Sequence, residues 1–351
     1  MNVKRLAAAA LLLTLIAVFF SCRNDTRRDD GISALTGDSD RAAPVTGETE
    51  MTTAAHTAET TCNPVTTAEE TEQVLELLPF LKDPCFKRGV SYTRLDVALP
   101  AGRLSYSLGS PSWLYTQEQS RYDISKGSYS SPETGVHVYE DASKYLYLDT
   151  NTGMFRMGIK GSKEYDHPRR WDERWTGALI TPTVVDKIFV RDFAALSVTL
   201  DFVLDEVTNH MNSAEFNRDL HSAQWNYYLF VQDSTSTSWF MVGLPLYDYR
   251  GTGETEYISI DPGTGGTFVY IPTYDAAFGD ARAEIGRRFT QTADLLPFID
   301  IAFDIAREKG FLTGCDLDNF FISGCNLGWE IPGIFDCMAT VYEFSMSYAL
   351  K

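Results

Sequence analysis

The sequence predicts an all-β protein, a two-sheet β-sandwich of the jelly-roll kind with one accessory helix. Three observations predict this fold. Apolar residues alternate along residues 198–204 and 338–348, as on strands with one buried face. Residues 227–232 and 239–247 are apolar on both faces, which is typical of central strands. Turn sequences rich in Gly, Pro and Asn, such as residues 149–153, separate these segments.

The two alternating segments predict which side chains face the core. On the first segment, one face carries Val198, Leu200, Phe202 and Leu204. On the second segment, an unbroken alternation places the following side chains together: Thr340, Tyr342, Phe344 and Met346. Both patterns have the period of two that a pleated strand imposes on its side chains.

One segment has a helical pattern instead. Residues 294–308 carry Pro297 near a helix start, and Gly310 follows as a stop signal. The expected apolar stripe consists of Phe298, Ile301, Ala302 and Ile305. This helix is expected to cover one sheet or an open end of the sandwich. A second, shorter stripe over residues 72–81, followed by Pro84, predicts a short helix before the first strand.

The N-terminus has the pattern of an export signal. Lys4 and Arg5 precede an uncharged run over residues 6–20, and Ser21 and Cys22 follow. This arrangement resembles a bacterial lipoprotein signal, which implies cleavage before Cys22 and attachment of a diacylglycerol to its thiol. An ordinary secretory signal with a coincidental cysteine is the alternative. Both interpretations predict a protein that works outside the cytoplasm.

Composition divides the chain into a signal peptide, residues 1–21, an acidic linker, residues 22–79, and a β-sandwich domain, residues 80–351. Residues 23–79 contain no Phe, Tyr or Trp and combine four arginines with twelve acidic residues. Such a segment buries too little apolar surface to offset the entropy of ordering it, so we expect a disordered, Thr-rich linker. The domain, in contrast, holds 43 of the 45 aromatic residues.

Charge and cysteine spacing exclude several classes of partner. The formal net charge of −18 argues against nucleic acid, which requires a basic surface. The only membrane attachment that the sequence predicts is the lipid on Cys22. The six cysteines show no spacing typical of a zinc site, and no nucleotide-binding motif is present, so we expect no metal and no cofactor.

Three segments of the domain carry a resemblance to known proteins: residues 319–336, residues 221–225 and residues 243–248, with residues 328–333 the most distinctive. They resemble a group of uncharacterised bacterial secreted proteins that look like the jelly-roll modules accompanying carbohydrate-active enzymes. The resemblance covers about residues 100–349. It implies an all-β fold and favours a glycan as ligand, but it implies no catalytic residue.

Candidate ligand-binding residues are those that suit a sugar, which needs flat aromatic faces and fixed polar groups. The chosen residues are Trp171, Trp175, Trp225, Trp329 and Gln224. Trp171 and Trp175 lie in a segment, residues 167–175, too rich in charge to be buried, which predicts an exposed loop. For tryptophans on strands, the alternative is that they fill the core.

Candidate catalytic residues follow from the chemistry of glycan cleavage. A glycosidase needs two carboxylates about 5–5.5 Å or about 6.5–9.5 Å apart. Asp248 and Glu330 are the first pair to test, because each ends an aromatic strand beside a turn. A polysaccharide lyase needs a base near a cation, and His221 with Arg250 has those residue types.

These observations together predict a lipid-anchored envelope protein that faces the exterior, or the periplasm in a Gram-negative cell. Its sandwich is predicted to bind an extracellular polysaccharide without cleaving it. A hydrolase or lyase on the same fold is one alternative. A structural or adhesive surface protein is the other.

Overall fold

A computed structural model describes residues 75–96, 99–107, 109–261 and 266–351. The predicted signal, Cys22 and nearly all of the predicted linker lie outside these residues. Among the described residues, no helix is long and apolar enough to cross a membrane. Cys85, Cys315, Cys325 and Cys337 are free thiols.

The described residues form strands and short helices. The strands are β1 Leu78–Pro79, β2 Val90–Thr93, β3 Pro100–Arg103, β4 Trp113–Thr116, β5 Ser128–Ser130, β6 Val136–Glu140, β7 Lys144–Asp149, β8 Phe155–Lys160, β9 Thr176–Pro182, β10 Phe193–Asn209, β11 Gln224–Asp233, β12 Trp239–Asp248, β13 Tyr257–Asp261, β14 Thr267–Ile271, β15 Arg288–Asp294, β16 Phe320–Ile331 and β17 Phe335–Leu350. The α-helices are α1 Gly161–Glu164, α2 Tyr274–Phe278 and α3 Leu296–Glu308.

These strands build two sheets, which confirms the predicted two-sheet sandwich. Within the described residues, one sheet has eight strands, in the order β15-β10-β17-β8-β7-β6-β5, with β1 added beside β17. The other has nine strands, in the order β13-β14-β12-β11-β16-β9-β4-β2-β3. Most neighbouring strands are antiparallel, while β12 with β14 and β2 with β4 are parallel.

The core lies between the two sheets. On β10, Val198, Leu200, Phe202 and Leu204 are all buried, as predicted. From the nine-stranded sheet, Trp225 packs on Phe202 with ring centroids 6.0 Å apart. The odd-numbered residues of β11 therefore face the eight-stranded sheet, and the even-numbered residues face away from it. We call the side turned away the outer face.

The alternation predicted for residues 338–348 is interrupted in β17. Ala339 and Val341 are buried, but so are Phe344 and Met346, and Tyr342 is exposed. The pairing with β10 shifts its register between Asp201 and Phe202, which is the position of a β-bulge. The extra residue reverses the face of every side chain before it, so Thr340 and Tyr342 do not share the buried face with Phe344.

The accessory helix is confirmed as α3, with Pro297 in its first turn. It contacts strands of both sheets, β10 in one and β12 and β14 in the other, and its Phe303 packs on Phe240 and Phe320. Its buried stripe differs from the prediction because Ile301 is 40% exposed and Ile299 is buried. The short helix predicted over residues 72–81 is wrong for the described part, since β1 pairs with Tyr348 and Ser347 of β17 instead. The backbone hydrogen bonds of a sheet edge here outweigh a weak helical pattern.

Candidate functional site

Five residues from five separate segments form one row across the outer face, which we call the polar row. Glu330 of β16 pairs with Gly177 of β9 on one side and with Gln224 of β11 on the other. Gln224 pairs in turn with Asp248 of β12. Beyond Gly177, the row continues to Glu118, whose carbonyl accepts the Gly177 N–H at 3.4 Å.

The alternation of each strand explains why these side chains share the outer face. Trp225 and Trp329 point into the core, so their neighbours Gln224 and Glu330 must point outward. Trp113 and Tyr115 of β4 are likewise buried. Side chains alternate between the two faces along this segment. Glu118 lies three residues after the core-facing Tyr115, so its side chain is on the outer face.

Glu330 occupies the middle of the polar row. Its carboxylate accepts a hydrogen bond from Trp175 Nε1 at 3.2 Å and another from Asn226 Nδ2 at 2.6 Å. Burial raises the pKa of Glu330 above its ordinary value, the hydrogen bonds from Trp175 and Asn226 oppose this rise, and the charge of Asp261 adds to it. The two donors favour the ionised form of Glu330.

Glu118 differs from Glu330 in its electrostatics. Burial, followed by the charge of Glu330, raises the pKa of Glu118 to about 8, and Arg174 only partly opposes this shift. Glu118 therefore retains its proton at neutral pH, beside the hydrogen-bonded side chain of Glu330. General acid catalysis requires a proton donor with a pKa near the pH at which the enzyme works. Glu118 meets this condition near neutral pH.

Gly177 separates the two glutamates without filling the space between their side chains. Neighbouring strands lie about 4.8 Å apart, so two spacings put the backbones of Glu118 and Glu330 about 10 Å apart. A Cβ added to Gly177 would lie 3.2 Å from the Trp329 carbonyl and 3.7 Å from Glu330 Cγ. A side chain here would therefore crowd the Glu330 side chain on the outer face.

Asp248 lies in the same polar row as Glu330, as their candidacy as a catalytic pair requires. Its carboxylate, however, already accepts several hydrogen bonds. It accepts hydrogen bonds from Ser222 Oγ at 2.6 Å, Gln224 Nε2 at 2.8 Å and Arg250 Nη2 at 2.5 Å. Burial would raise the pKa of Asp248, yet the hydrogen bonds from Arg250 and Ser222 bring it below its ordinary value. The Asp248 carboxylate therefore binds Ser222, Gln224 and Arg250.

His221 is placed in the interior, which corrects its candidacy as a base. His221 is 2% exposed, and its two ring nitrogens contact the Asn217 N–H at 3.1 Å and the Arg169 carbonyl at 2.8 Å. Because Nδ1 accepts and Nε2 donates, neither nitrogen is available to a substrate proton. Its proposed partner Arg250 is bound to Asp248.

Two of the candidate tryptophans also need correction. Trp225 and Trp329 are fully buried and pack on each other with ring centroids 5.0 Å apart. A sandwich with this many aromatic residues uses its largest rings to fill the space between the sheets. Neither ring can present a face to a ligand.

Trp171 and Trp175 lie in an exposed loop next to the row, as the charge of this segment predicts. Trp171 is 69% exposed and Trp175 is 38% exposed. The guanidinium of Arg169 lies 5.1 Å from the centre of the Trp175 ring, and Arg169 also donates to the carbonyls of Glu173 and Leu220. The loop thus holds Trp175 in place beside Glu330.

Tyr228 extends the site toward the edge strand β13. Its ring packs against Gly243, where a Cβ would lie 2.9 Å from it. Burial raises the pKa of Tyr228 well above its ordinary value, and charges on Glu330 and Asp261 raise it further. Carboxyl groups of the central strand β16 and of the edge strand β13 therefore face the same stretch of the outer face.

Sequence reasoning did not identify Glu118 or Gly177. The only signal for Glu118 was the alternation of inward and outward side chains along β4. Glu118 falls on an outward position only if this alternation continues past the end of the strand. No pattern in the sequence indicates that β9 lies between the segments carrying Glu118 and Glu330, because that order is set by the sheet topology.

Comparisons with known proteins find only distant likenesses. No protein-family model and no curated protein matches this chain. A family 12 xyloglucanase from Bacillus licheniformis has a TM-score of 0.38 and 9% identity, covering 67% of this chain and 99% of that one. A family 12 endoglucanase 3 from Trichoderma harzianum has a TM-score of 0.36 and 11% identity, covering 70% and 100%.

A family 11 xylanase from Neocallimastix patriciarum is similar at a TM-score of 0.35 and 8% identity, covering 63% of this chain and 95% of that one. Likenesses this distant assign no activity.

Proposed function

We propose that the outer face of the nine-stranded sheet binds a polysaccharide chain, and that Glu118 and Glu330 hydrolyse it. The observation that carries the proposal is the arrangement of these two glutamates. Glu118, whose pKa burial and the charge of Glu330 raise to about 8, is separated from Glu330 by Gly177, which has no side chain to fill the space between them. Hydrolysis of a glycosidic bond requires one protonated and one ionised carboxyl group.

Each group has a definite task in the proposed reaction. Glu118 donates its proton to the glycosidic oxygen as the bond to the anomeric carbon breaks. The Glu330 carboxylate, held by Trp175 and Asn226, faces the anomeric carbon, where it activates a water or attacks directly. The indole faces of Trp171 and Trp175 stack on the apolar faces of sugar rings next to the bond.

Binding without cleavage, the function that the sequence favours, is the second candidate. The exposure of Trp171 supports it, since an aromatic platform binds a sugar ring whether or not a bond is broken. It does not require a carboxyl group with a raised pKa, which Glu118 has.

The deciding experiment incubates the full-length protein with neutral and acidic polysaccharides and measures new reducing ends, together with retention on affinity gels. We expect products with the parent, and a loss of about 100-fold or more in kcat for Glu118→Gln and Glu330→Gln. Glu343→Gln is the matched control, because Glu343 is exposed on the other sheet. Retention without products supports binding alone. If the protein is not retained and releases no products, both functions are rejected.

We further propose that the protein acts outside the cytoplasm, attached through a lipid on Cys22. The basic residues, apolar run and cysteine at the N-terminus support this proposal. An insoluble polysaccharide cannot enter a cell, so a polysaccharide hydrolase is most useful on the cell envelope.

A further inference from the structure

A buried ion cluster lies beneath the segment that follows Glu118. Lys144 at the start of β7 is 1% exposed, and Glu164 at the end of α1 is 4% exposed. The Lys144 ammonium lies 3.0 Å from Asp141 Oδ2 and 3.6 Å from Glu164 Oε1. Charges buried this deeply are costly to desolvate, so their retention needs a reason.

The cluster binds the backbone and side chains of residues 120–122. Lys144 Nζ donates to Ser120 Oγ at 2.6 Å and to the Tyr122 carbonyl at 2.5 Å. Glu164 accepts from Ser120 Oγ at 2.6 Å and from the Arg121 N–H at 2.6 Å. Every residue of this short segment is therefore fixed by a charged group.

The residue between this segment and Glu118 has an unusual backbone. Gln119 has a φ of 55°, in the left-handed region that a residue with a side chain seldom adopts. Its N–H donates to the Leu95 carbonyl at 2.6 Å. Such a conformation persists only where the surroundings hold it, and it commonly occurs beside functional residues.

The residue on the other side of Glu118 is also fixed. The fully buried Gln117 donates through Nε2 to the Thr93 carbonyl at 2.9 Å and accepts from the Ile124 N–H at 2.9 Å. Glu118 is thus a side chain free to project outward from a backbone that is held at both neighbours.

We propose that the Lys144–Glu164 pair is a positioning device for Glu118, which fixes residues 119–122 so that the Glu118 side chain projects over Gly177 toward Glu330. This role rests on the proposed function, in which Glu118 is the acid. Lys144 and Glu164 touch no substrate, and they act through Ser120, Arg121 and the left-handed Gln119.

The test compares Glu164→Gln and the milder Ser120→Ala with Arg121→Gln. Arg121 belongs to the same segment, and its side chain makes an exposed ion pair with Asp166 at 2.5 Å. Its replacement keeps the backbone N–H that Glu164 binds, so it is a matched control. The readout is the pKa of Glu118, followed as the pH-dependent difference in melting temperature between each protein and the same protein with Glu118→Gln.

We expect this difference to change strongly between pH 4 and pH 9 in the parent and in Arg121→Gln. It should change less than half as much in Glu164→Gln and Ser120→Ala, because Glu118 then moves away from its buried position and from Glu330. The same two variants should lower kcat about tenfold or more and move the alkaline limit of activity to lower pH. A merely structural cluster would lower the melting temperature alone.

An unchanged difference in both Glu164→Gln and Ser120→Ala would overturn the positioning role. Failure of the proposed hydrolase has a different signature. In that case the parent shows the pH-dependent difference in melting temperature, and the variants reduce it, but no protein releases products from any polysaccharide.

Discussion

Trp175 and Glu330 are joined by a hydrogen bond, from the indole Nε1 to the carboxylate Oε1 at 3.2 Å. The bond connects an exposed loop to the end of the central strand β16, 155 residues further along the chain. It makes one aromatic side chain both a candidate sugar platform and a determinant of the charge on its neighbour.

Replacing Trp175 by Phe should separate these two roles. The change keeps an aromatic face but removes the N–H that lowers the pKa of Glu330, so this pKa should rise. The acidic limit of activity should then move to higher pH, while the affinity for polysaccharide changes little. The carboxyl resonance of Glu330 in NMR titrations measures the same shift without activity. Trp171→Phe, at an exposed ring, should leave the titration unchanged.

The stability of the protein should depend on the ionisation of Glu118. Its pKa is about 8 in the folded state, against an ordinary value of 4.5 when unfolded. Below the unfolded value both states are protonated, so the contribution is fully present. It is lost as the pH rises from about 4.5 to about 8, because the unfolded chain then releases a proton that the folded protein retains.

Glu118→Gln should therefore become more stable relative to the parent as the pH rises through this window. Melting temperatures measured at pH 4, 6 and 9 test this. Glu343→Gln, at an exposed position on the other sheet, is the control. A constant difference for Glu118→Gln would contradict the raised pKa.

Gly177→Ala should reduce catalysis more than it reduces stability. The new Cβ would lie 3.2 Å from the Trp329 carbonyl and 3.7 Å from Glu330 Cγ, at the edge of the space where the scissile bond is proposed to lie. We expect a loss of about tenfold in kcat/KM and a destabilisation of about 1 kcal/mol. Gly324→Ala on β16, where the nearest atom is at 3.4 Å, is the comparison and should retain activity. Equal activity in both variants would argue against an occupied gap.

His221→Gln should destabilise the protein without affecting its chemistry. The change disturbs two buried hydrogen bonds, to the Asn217 N–H and the Arg169 carbonyl, and should cost about 2 kcal/mol in the free energy of unfolding. Denaturant titration measures this cost. Activity measured well below the melting temperature should keep the pH profile of the parent. If the variant is folded but inactive at this temperature, His221 is again a candidate base.

Cys22→Ala should release the protein from the membrane fraction. Labelled palmitate should mark the parent and the Cys62→Ala control but not Cys22→Ala, since the predicted lipid is attached only to the first of these cysteines. An unlabelled parent recovered among the soluble cell contents would reject both the anchor and the location.

The sequence predicted the sandwich and α3 because both depend on local periodicity. The face of Thr340 was not predictable, because the β-bulge in β17 is fixed by pairing with β10. The same limit applies to the site. The sequence identified Glu330, Gln224 and Trp175 through residue type and strand position. It missed Glu118, because the burial that raises the pKa of this ordinary glutamate comes from segments distant in sequence.

The polar row takes each of its members from a different segment of the chain, at positions 118, 177, 224, 248 and 330. Substituting one member changes one point along the surface, while the main-chain ladders that support its neighbours remain intact. Such a platform can diversify residue by residue over evolutionary time, acquiring new chemical preferences without remodelling its scaffold.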